Sequence, residues 1–516
     1  MNMRYPDMKH SAKRTTALAL ALLMLLSAFA SCSESEVNEE TTAGEQTPTV
    51  SADPEAALTE EETVEDDGKA AYAPELPERD YDGFAFRIVS RDDDMHTYPV
   101  HTRDLYAEEM NGDAINDAVF ERNSMIQETY DIVIKLETYS ETTSETTSNT
   151  LVENSVMAGS DDYDLLTTHM IYGANSVLKN VFLNYNNMEY VDLTKPYWNQ
   201  SAHPAFSVGD KTYLALSDLC FSSNDNTHCM VYNKELAKNY NVGDIYEIVK
   251  SNEWTYDKFR TMCENVSNDT NGDGQMTEED VYGYFIGGTS GLINWMFAAN
   301  LHVMAKDENN LPYLDFFSEK TVDVYTWMYD LYQSNDSYCI SSWVDPQVPV
   351  VFSGDHALFM TTQIGVIEDL RDMESDFGVL PYPKWTAEQE TYYHYVDGHA
   401  AIMAVPKTVN DIERTGILLE ALAYESYKSV LPLYFDVMMT KKNVRDEQSG
   451  EMLELIYNTR AFDFAYVYDN FTLSFAFSNQ ATANNPDLAS YYAKQEKAIT
   501  KIMDRNIIGK ITEFQD

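Results

Sequence analysis

Positive charge is what this sequence has least of: 35 lysines and arginines stand against 85 aspartates and glutamates, a formal net charge of −50 over 516 residues. So acidic a surface repels phosphate backbones and anionic headgroups, which excludes nucleic acid as a partner and suits divalent cations and uncharged ligands. Cysteine is scarce too, with five in all. Besides Cys32, the thiols of Cys220, Cys229, Cys263 and Cys339 are too few for a disulfide framework, and none has the C-x-x-C spacing of a zinc or redox site. Only Cys220 and Cys229 lie close enough in sequence to suggest a bond. Enzyme signatures are missing: there is no H-E-x-x-H, no G-x-x-x-x-G-K-[ST], no G-x-G-x-x-G and no G-x-S-x-G. With 85 acids, carboxylate pairs are inevitable and carry no information about glycoside cleavage.

What is there begins with an address. Lys9, Lys13 and Arg14 precede an apolar run from Ala17 to Leu26, too short to span a bilayer and followed by small residues, the pattern of a secretory leader over 1–32. Met8 is an alternative start. The leader ends in Phe29-Ala30-Ser31-Cys32, which resembles a bacterial lipobox with Phe where Leu is usual. Cys32 is therefore the expected site of lipidation, with ordinary secretion as the alternative. No later stretch is long and apolar enough for a transmembrane helix. Residues 33–77 are rich in Glu, Thr, Ser, Ala and Pro and nearly devoid of large apolar side chains. They predict a flexible tether with a reach of roughly 35–40 Å.

From Phe84 the pattern alternates. A β-rich run at Phe84–Val89, a helical spacing after Asp113, a strand at Asp131–Leu136, a helix over 145–158 and a strand at Tyr163–Leu166 predict a parallel sheet flanked by helices. The alternation returns with strands at Cys229–Tyr232, Tyr282–Ile286 and Ala357–Met360, an extended tract around Phe377–Pro381, and helices over 410–440, 446–458 and 486–505. The fold class read from this is α/β, with two lobes and a helical tail.

Residues 269–280 read DTNGDGQMTEED. Asp269, Asn271 and Asp273 stand at the first, third and fifth places of an EF-hand-type calcium loop, and Gly274 stands at the turn. The carbonyl of Gln275, then Thr277, then Asp280 at the twelfth place complete the expected donors. Asp280 is shorter than the usual Glu. A strand-like tract follows instead of a second helix and the loop has no second copy, so the expectation is a structural calcium ion, not a sensor.

Several tracts together resemble the lipid-anchored, carbohydrate-type extracellular solute-binding proteins (family 1-like) of ABC importers in Gram-positive bacteria. They are Glu109–Ala118, Asp192–Trp198, Met230–Lys234, Glu253–Phe259, Gly354–Phe359 and Phe377–Lys384, and they cover most of the chain beyond about residue 80. The resemblance implies a two-lobe, type II periplasmic-binding-protein-like fold with hinge and C-terminal helices. Residues 78–215 with 355–425 would form one lobe and 216–354 with 426–516 the other, the chain crossing near 215–228, 350 and 425. It further implies a monomer on the outer face of the cytoplasmic membrane that binds a sugar or oligosaccharide between its lobes, without chemistry, for ABC permease subunits.

Strand ends and crossings then supply the candidate ligand contacts. Arg91 and Asp92 follow the first strand, Thr168 and His169 the third, and Tyr197 and Trp198 enter the crossing that holds Asp218 and Ser222. Trp295 follows the Gly287–Gly291 loop, Trp343 precedes 350, Thr361, Thr362 and Gln363 end a strand, and Tyr395 and Asp397 lie near a strand start. Asp92, Asp218 and Asp397 suit vicinal hydroxyls best. His394 and His399 are spaced for neither a helix face nor a strand face, which argues against a metal pair. Three rivals stand beside this reading: a tethered glycosidase, the same fold binding peptides or another solute, and an adhesion module without a cleft.

Overall fold

Asp113 lies in extended backbone, and its carboxylate accepts the amides of Ile115 and Asn116 at 3.1 Å each. That cap starts helix α1 (Ala114–Tyr130), and Asp131, at a left-handed φ of 46°, ends it. The computed structural model describes residues 68–91, 101–139, 146–340, 348–438, 446–468 and 472–515. The leader, Cys32, most of the expected tether, Asp92 and Trp343 lie outside the described residues.

Two main sheets are built from β1 (Phe84–Arg91), β2 (Ile132–Tyr139), β3 (Leu165–His169), β4 (His228–Asn233), β5 (Tyr282–Ile286), β6 (Ser337–Cys339), β7 (Ala357–Gln363), β8 (Phe377–Leu380) and β9 (Ala401–Ala404). The first sheet has the order β9-β3-β1-β2 and the second β8-β4-β7-β5-β6. β1 pairs in parallel with β2 and β3, as the β-α-β-α-β pattern predicts, while β9 joins antiparallel to β3. Helices α2 (Thr147–Ala158) and α3 (Met170–Val177) cover the first sheet, and α4 (Tyr256–Val266) lies on β5 of the second. Gly283 permits that last approach, since a Cβ there would meet the Cα of Cys263 at 2.2 Å.

The lobe boundaries differ from expectation. β7 and β8 hydrogen-bond within the second sheet, so 355–393 belongs there and the chain returns to the first sheet only through 394–400 into β9. Residue 350 sits in a short helix leading to β7, not at a crossing. A buried run such as Ala357–Gln363 suits either sheet, and only its pairing with β4 and β5 decides between them. Nor is the tail confined to one lobe. After α5 (Ile412–Glu425), α6 (Glu447–Asn458) packs on β8 while Phe464–Tyr468 packs on α3. The tether also ends earlier than predicted: Tyr72 meets Tyr427 edge-on at 6.5 Å and Leu76 packs on the core. Among the described residues no helix is long and apolar enough to cross a membrane.

Candidate functional site

Two segments connect the sheets side by side. The first, Asp218–Thr227, opens with a 3-10 turn (Asp218–Asn224) and runs into β4; the second covers 394–400. Thr227 bridges to Val396, and the amide of Asp397 donates to the carbonyl of Asn226 at 2.9 Å. Beside them lies a cavity of about 310 Å³. Its wall takes His169 and Ile171 from the start of α3, His228 from β4, the Gly287–Gly291 loop after β5, and Met360 to Gln363 from β7. Tyr395, Asp397 and His399 come from the second crossing, Tyr466 and Phe475 from the tail, and Val366, Asp369 and Leu370 from the rim after β7.

The floor is a hydrogen-bonded chain. Asp397 Oδ1 accepts the backbone amide of His399 at 3.0 Å and faces the His399 Nδ1, while Oδ2 accepts the Tyr395 hydroxyl at 3.3 Å. Tyr395 shares that one hydrogen with the Tyr466 hydroxyl, which accepts the amide of Gly398 at 2.7 Å. A Cβ on Gly398 would lie 2.6 Å from His169 Cε1 and 3.0 Å from that hydroxyl, so only glycine fits there. Burial pushes the Asp397 carboxyl up, but the charge and hydrogen bonds of His399 outweigh it and hold the group well below the usual carboxylate range.

The imidazoles are individually fixed. His169 Nδ1 caps α3 by accepting the amide of Ile171 at 3.1 Å, so its hydrogen sits on Nε2. Its ring meets that of His399 edge-on at 4.7 Å. His228 lies between the side-chain amides of Asn294 and Gln363, 3.1 Å from each, with its ring 4.9 Å from that of Tyr395. Burial lowers its pKa to about 4. The Thr361 hydroxyl is engaged in a buried trio with Tyr284 and, at 2.7 Å, Tyr382.

Of the expected ligand contacts, the cavity gathers His169, Thr361, Thr362, Gln363, Tyr395 and Asp397. Asp92 and Trp343 lie outside the described residues, and the remaining ones serve the core. Tyr197 and Trp198 donate to the two carboxylate oxygens of buried Glu420, at 2.6 and 2.9 Å. Trp295 sits among Tyr256, Phe259, Tyr284, Trp327 and Tyr382. Asp218 accepts from Tyr457 at 3.1 Å, Ser222 donates to Asp104, Thr168 donates to Asn149 at 2.6 Å, and Arg91 is buried at the end of β1. His228, His399, Tyr466 and Phe475 were not expected. His228 and His399 had a signal, since each is adjacent to a predicted crossing or candidate; Tyr466 and Phe475 had none. His394 is a core residue that accepts the amide of Tyr382 and contacts Thr459.

At the other end of β5 from the Gly287–Gly291 loop, the 269–280 loop is closed at its base by the Asn268–Val281 bridge, between α4 and β5 as the sequence predicts. Asp269 accepts the amides of Gly272 and Gly274 at 2.7 Å, Asn271 that of Asp273 and Asp273 that of Gln275, both at 2.8 Å. Each of these oxygens keeps a further lone pair for a hard cation. Asp280 differs: it accepts the amides and hydroxyls of both Thr270 and Thr277, which engages all four lone-pair positions. Backbone hydrogen bonds from Thr277 lead the effects that hold its carboxyl below the usual range. Among the described residues Cys220, Cys229 and Cys263 are buried thiols and Cys339 is half-buried; none is in a disulfide.

No protein-family model matches the chain, and no curated protein matches it in sequence. Solved structures do match. M. tuberculosis UspC is 13% identical with a TM-score of 0.54, over 81% of this chain and 100% of its own. A cyclo/maltodextrin-binding protein complexed with maltotetraose is 14% identical with a TM-score of 0.52, over 81% and 97%. An ABC transporter solute-binding protein from Thermotoga lettingae bound with alpha-D-tagatose is 11% identical with a TM-score of 0.51, over 82% and 100%. The chain has the mixed α/β fold of these solute-binding proteins; at such identities the likeness is one of fold.

Proposed function

We propose that the protein captures an extracellular sugar or short oligosaccharide in the crossing cavity and delivers it to the permease subunits of an ABC importer. The observation that carries this reading is the lining: Thr362, Gln363, Ser290 and Asp397 share one chamber with the rings of Tyr395, Tyr466 and Phe475. A sugar presents hydroxyls at its edge and C–H groups on its faces, and needs both kinds of wall. The maltotetraose and tagatose held by proteins of the same fold support it. In this reading the chain performs no reaction. Incubation with labelled oligosaccharides tests it: stoichiometric retention of unchanged sugar is expected, whereas turnover, or retention of peptides only, overturns it.

The proposal extends to place and metal. Diacylated Cys32 would anchor the monomer outside the cytoplasmic membrane, and Cys32→Ser should move it from the membrane fraction to the medium. Calcium would be held by Asp269, Asn271, Asp273, the Gln275 carbonyl and Thr277, with Asp280 closing the loop around them. Calcium bound only by the native state raises the melting point. EGTA should lower it without changing sugar affinity; an unchanged melting point overturns the staple.

A further inference from the structure

Charge inside the cavity is as lopsided as charge outside it, and this narrows the solute. Among the described residues no lysine or arginine lines the chamber, while Asp369 stands at its rim and Asp397 in its floor. The imidazoles do not redress the balance. His169 is held in a neutral form by the amide that its Nδ1 accepts, and buried His228 lies between two uncharged amides. His399 is turned onto Asp397, so any charge it carries is already matched. An anion drawn into this space would lose its hydration with no cation among the described lining residues to replace it. It would also approach against the field of the whole acidic body.

We propose, resting on the sugar-receptor reading above, that the cavity admits short sugars that are neutral or carry a protonated amine and rejects sugar acids and sugar phosphates. Asp397 Oδ2, whose protein contact is the 3.3 Å hydroxyl of Tyr395, is the acceptor for a ligand hydroxyl or ammonium. The rings of Tyr395, Tyr466 and Phe475 bound the chamber on its apolar side. At about 310 Å³ it lies at the small end of ligand sites, which run from about 300 to 1,000 Å³, so the solute is one or two rings long.

Calorimetry on the full chain with matched quartets tests this: a neutral hexose, its 2-amino form, its uronate and its 6-phosphate, in the gluco, galacto and manno series, with the corresponding neutral disaccharides. In the series that binds, the amine should equal or exceed the neutral sugar, and the uronate and phosphate should be weaker by about 100-fold or more. Asp397→Asn, close in shape, should abolish the preference for the amine; Asp369→Asn, at the exposed rim, should reduce it by a few-fold without touching the floor. A uronate or phosphate that binds as tightly as its neutral parent overturns the charge filter and leaves the receptor reading standing. Amine preference unchanged in both variants overturns the roles of these carboxylates. Binding of no sugar in any series overturns the receptor reading and the filter together.

Discussion

The two crossings lie side by side yet do opposite work. Along the first, Ser222 turns onto Asp104, Asp225 accepts from Arg103 and, at 2.6 Å, from Tyr434, and Asp218 is bound by Tyr457. Along the second, Tyr395, Asp397 and His399 face the cavity. Both are polar segments at a sheet-to-sheet connection, so position alone does not separate them. Cover does. The short helix His101–Leu105 supplies Arg103 and Asp104, and the helices of the tail bring Tyr434 and Tyr457 over the first crossing. Among the described residues the second crossing has Tyr466 of the tail on one side and the cavity on the other. The electrostatics divide in the same way. Burial, only partly offset by Arg103 and Arg460 respectively, pushes the carboxyls of Asp104 and Asp218 up to about 7, whereas His399 holds Asp397 down.

The comparison breaks most visibly at Asp225. Asp225→Ala strips a buried acceptor from Arg103 and Tyr434 and should cost about 3 kcal/mol in urea unfolding while leaving sugar affinity alone. A loss of affinity at unchanged stability would reverse the roles given to the two crossings. Gly398→Ala should cost about 1–3 kcal/mol and also weaken sugar binding, because the added methyl drives into His169 and Tyr466; calorimetry and thermal unfolding together read both effects. Next in size is pH. The folded values of Asp104 and Asp218 stand above their unfolded ones, so their contribution is complete below about pH 4 and is lost as pH rises towards 7, at up to ~1.4 kcal/mol per pH unit for each group. Asp104→Asn with Asp218→Asn should flatten that slope in urea titrations between pH 4 and 8. Asp397 has the opposite sign: its contribution is present above the unfolded value and fades as pH falls below the ordinary carboxylate range. The smallest change expected is Tyr466→Phe, which removes the acceptor of the Gly398 amide and should cost about 0.5–1.5 kcal/mol. Its mark should fall on sugar affinity through Asp397, and unaltered affinity would unlink the tail from the floor.

Much of the fold was legible because local rules coincided: Asp113 both caps α1 and precedes its apolar spacing, and the β-α-β-α-β order lands on a parallel sheet. The site was legible by halves. Thr361 to Gln363 and Tyr395 with Asp397 stand at strand ends that do open into the cavity. Tyr197 and Trp198 stand in an equally suggestive place, but Glu420, more than two hundred residues away, claims both. A buried acid leaves no local trace in the sequence, nor does the cover over Asp218 and Ser222. The lobe boundary failed for a related reason: β7 is buried on both faces, so its pattern states that it is inside without stating which sheet it is inside.

Tyr466 and Phe475 reach the cavity from near the end of the chain, long after both sheets have been spelled out. A polypeptide synthesised from its beginning therefore has every strand of both sheets in hand while its chamber still lacks a side. On the proposed reading, ligand capture becomes a late milestone of synthesis, one that only a chain made through Phe475 can pass.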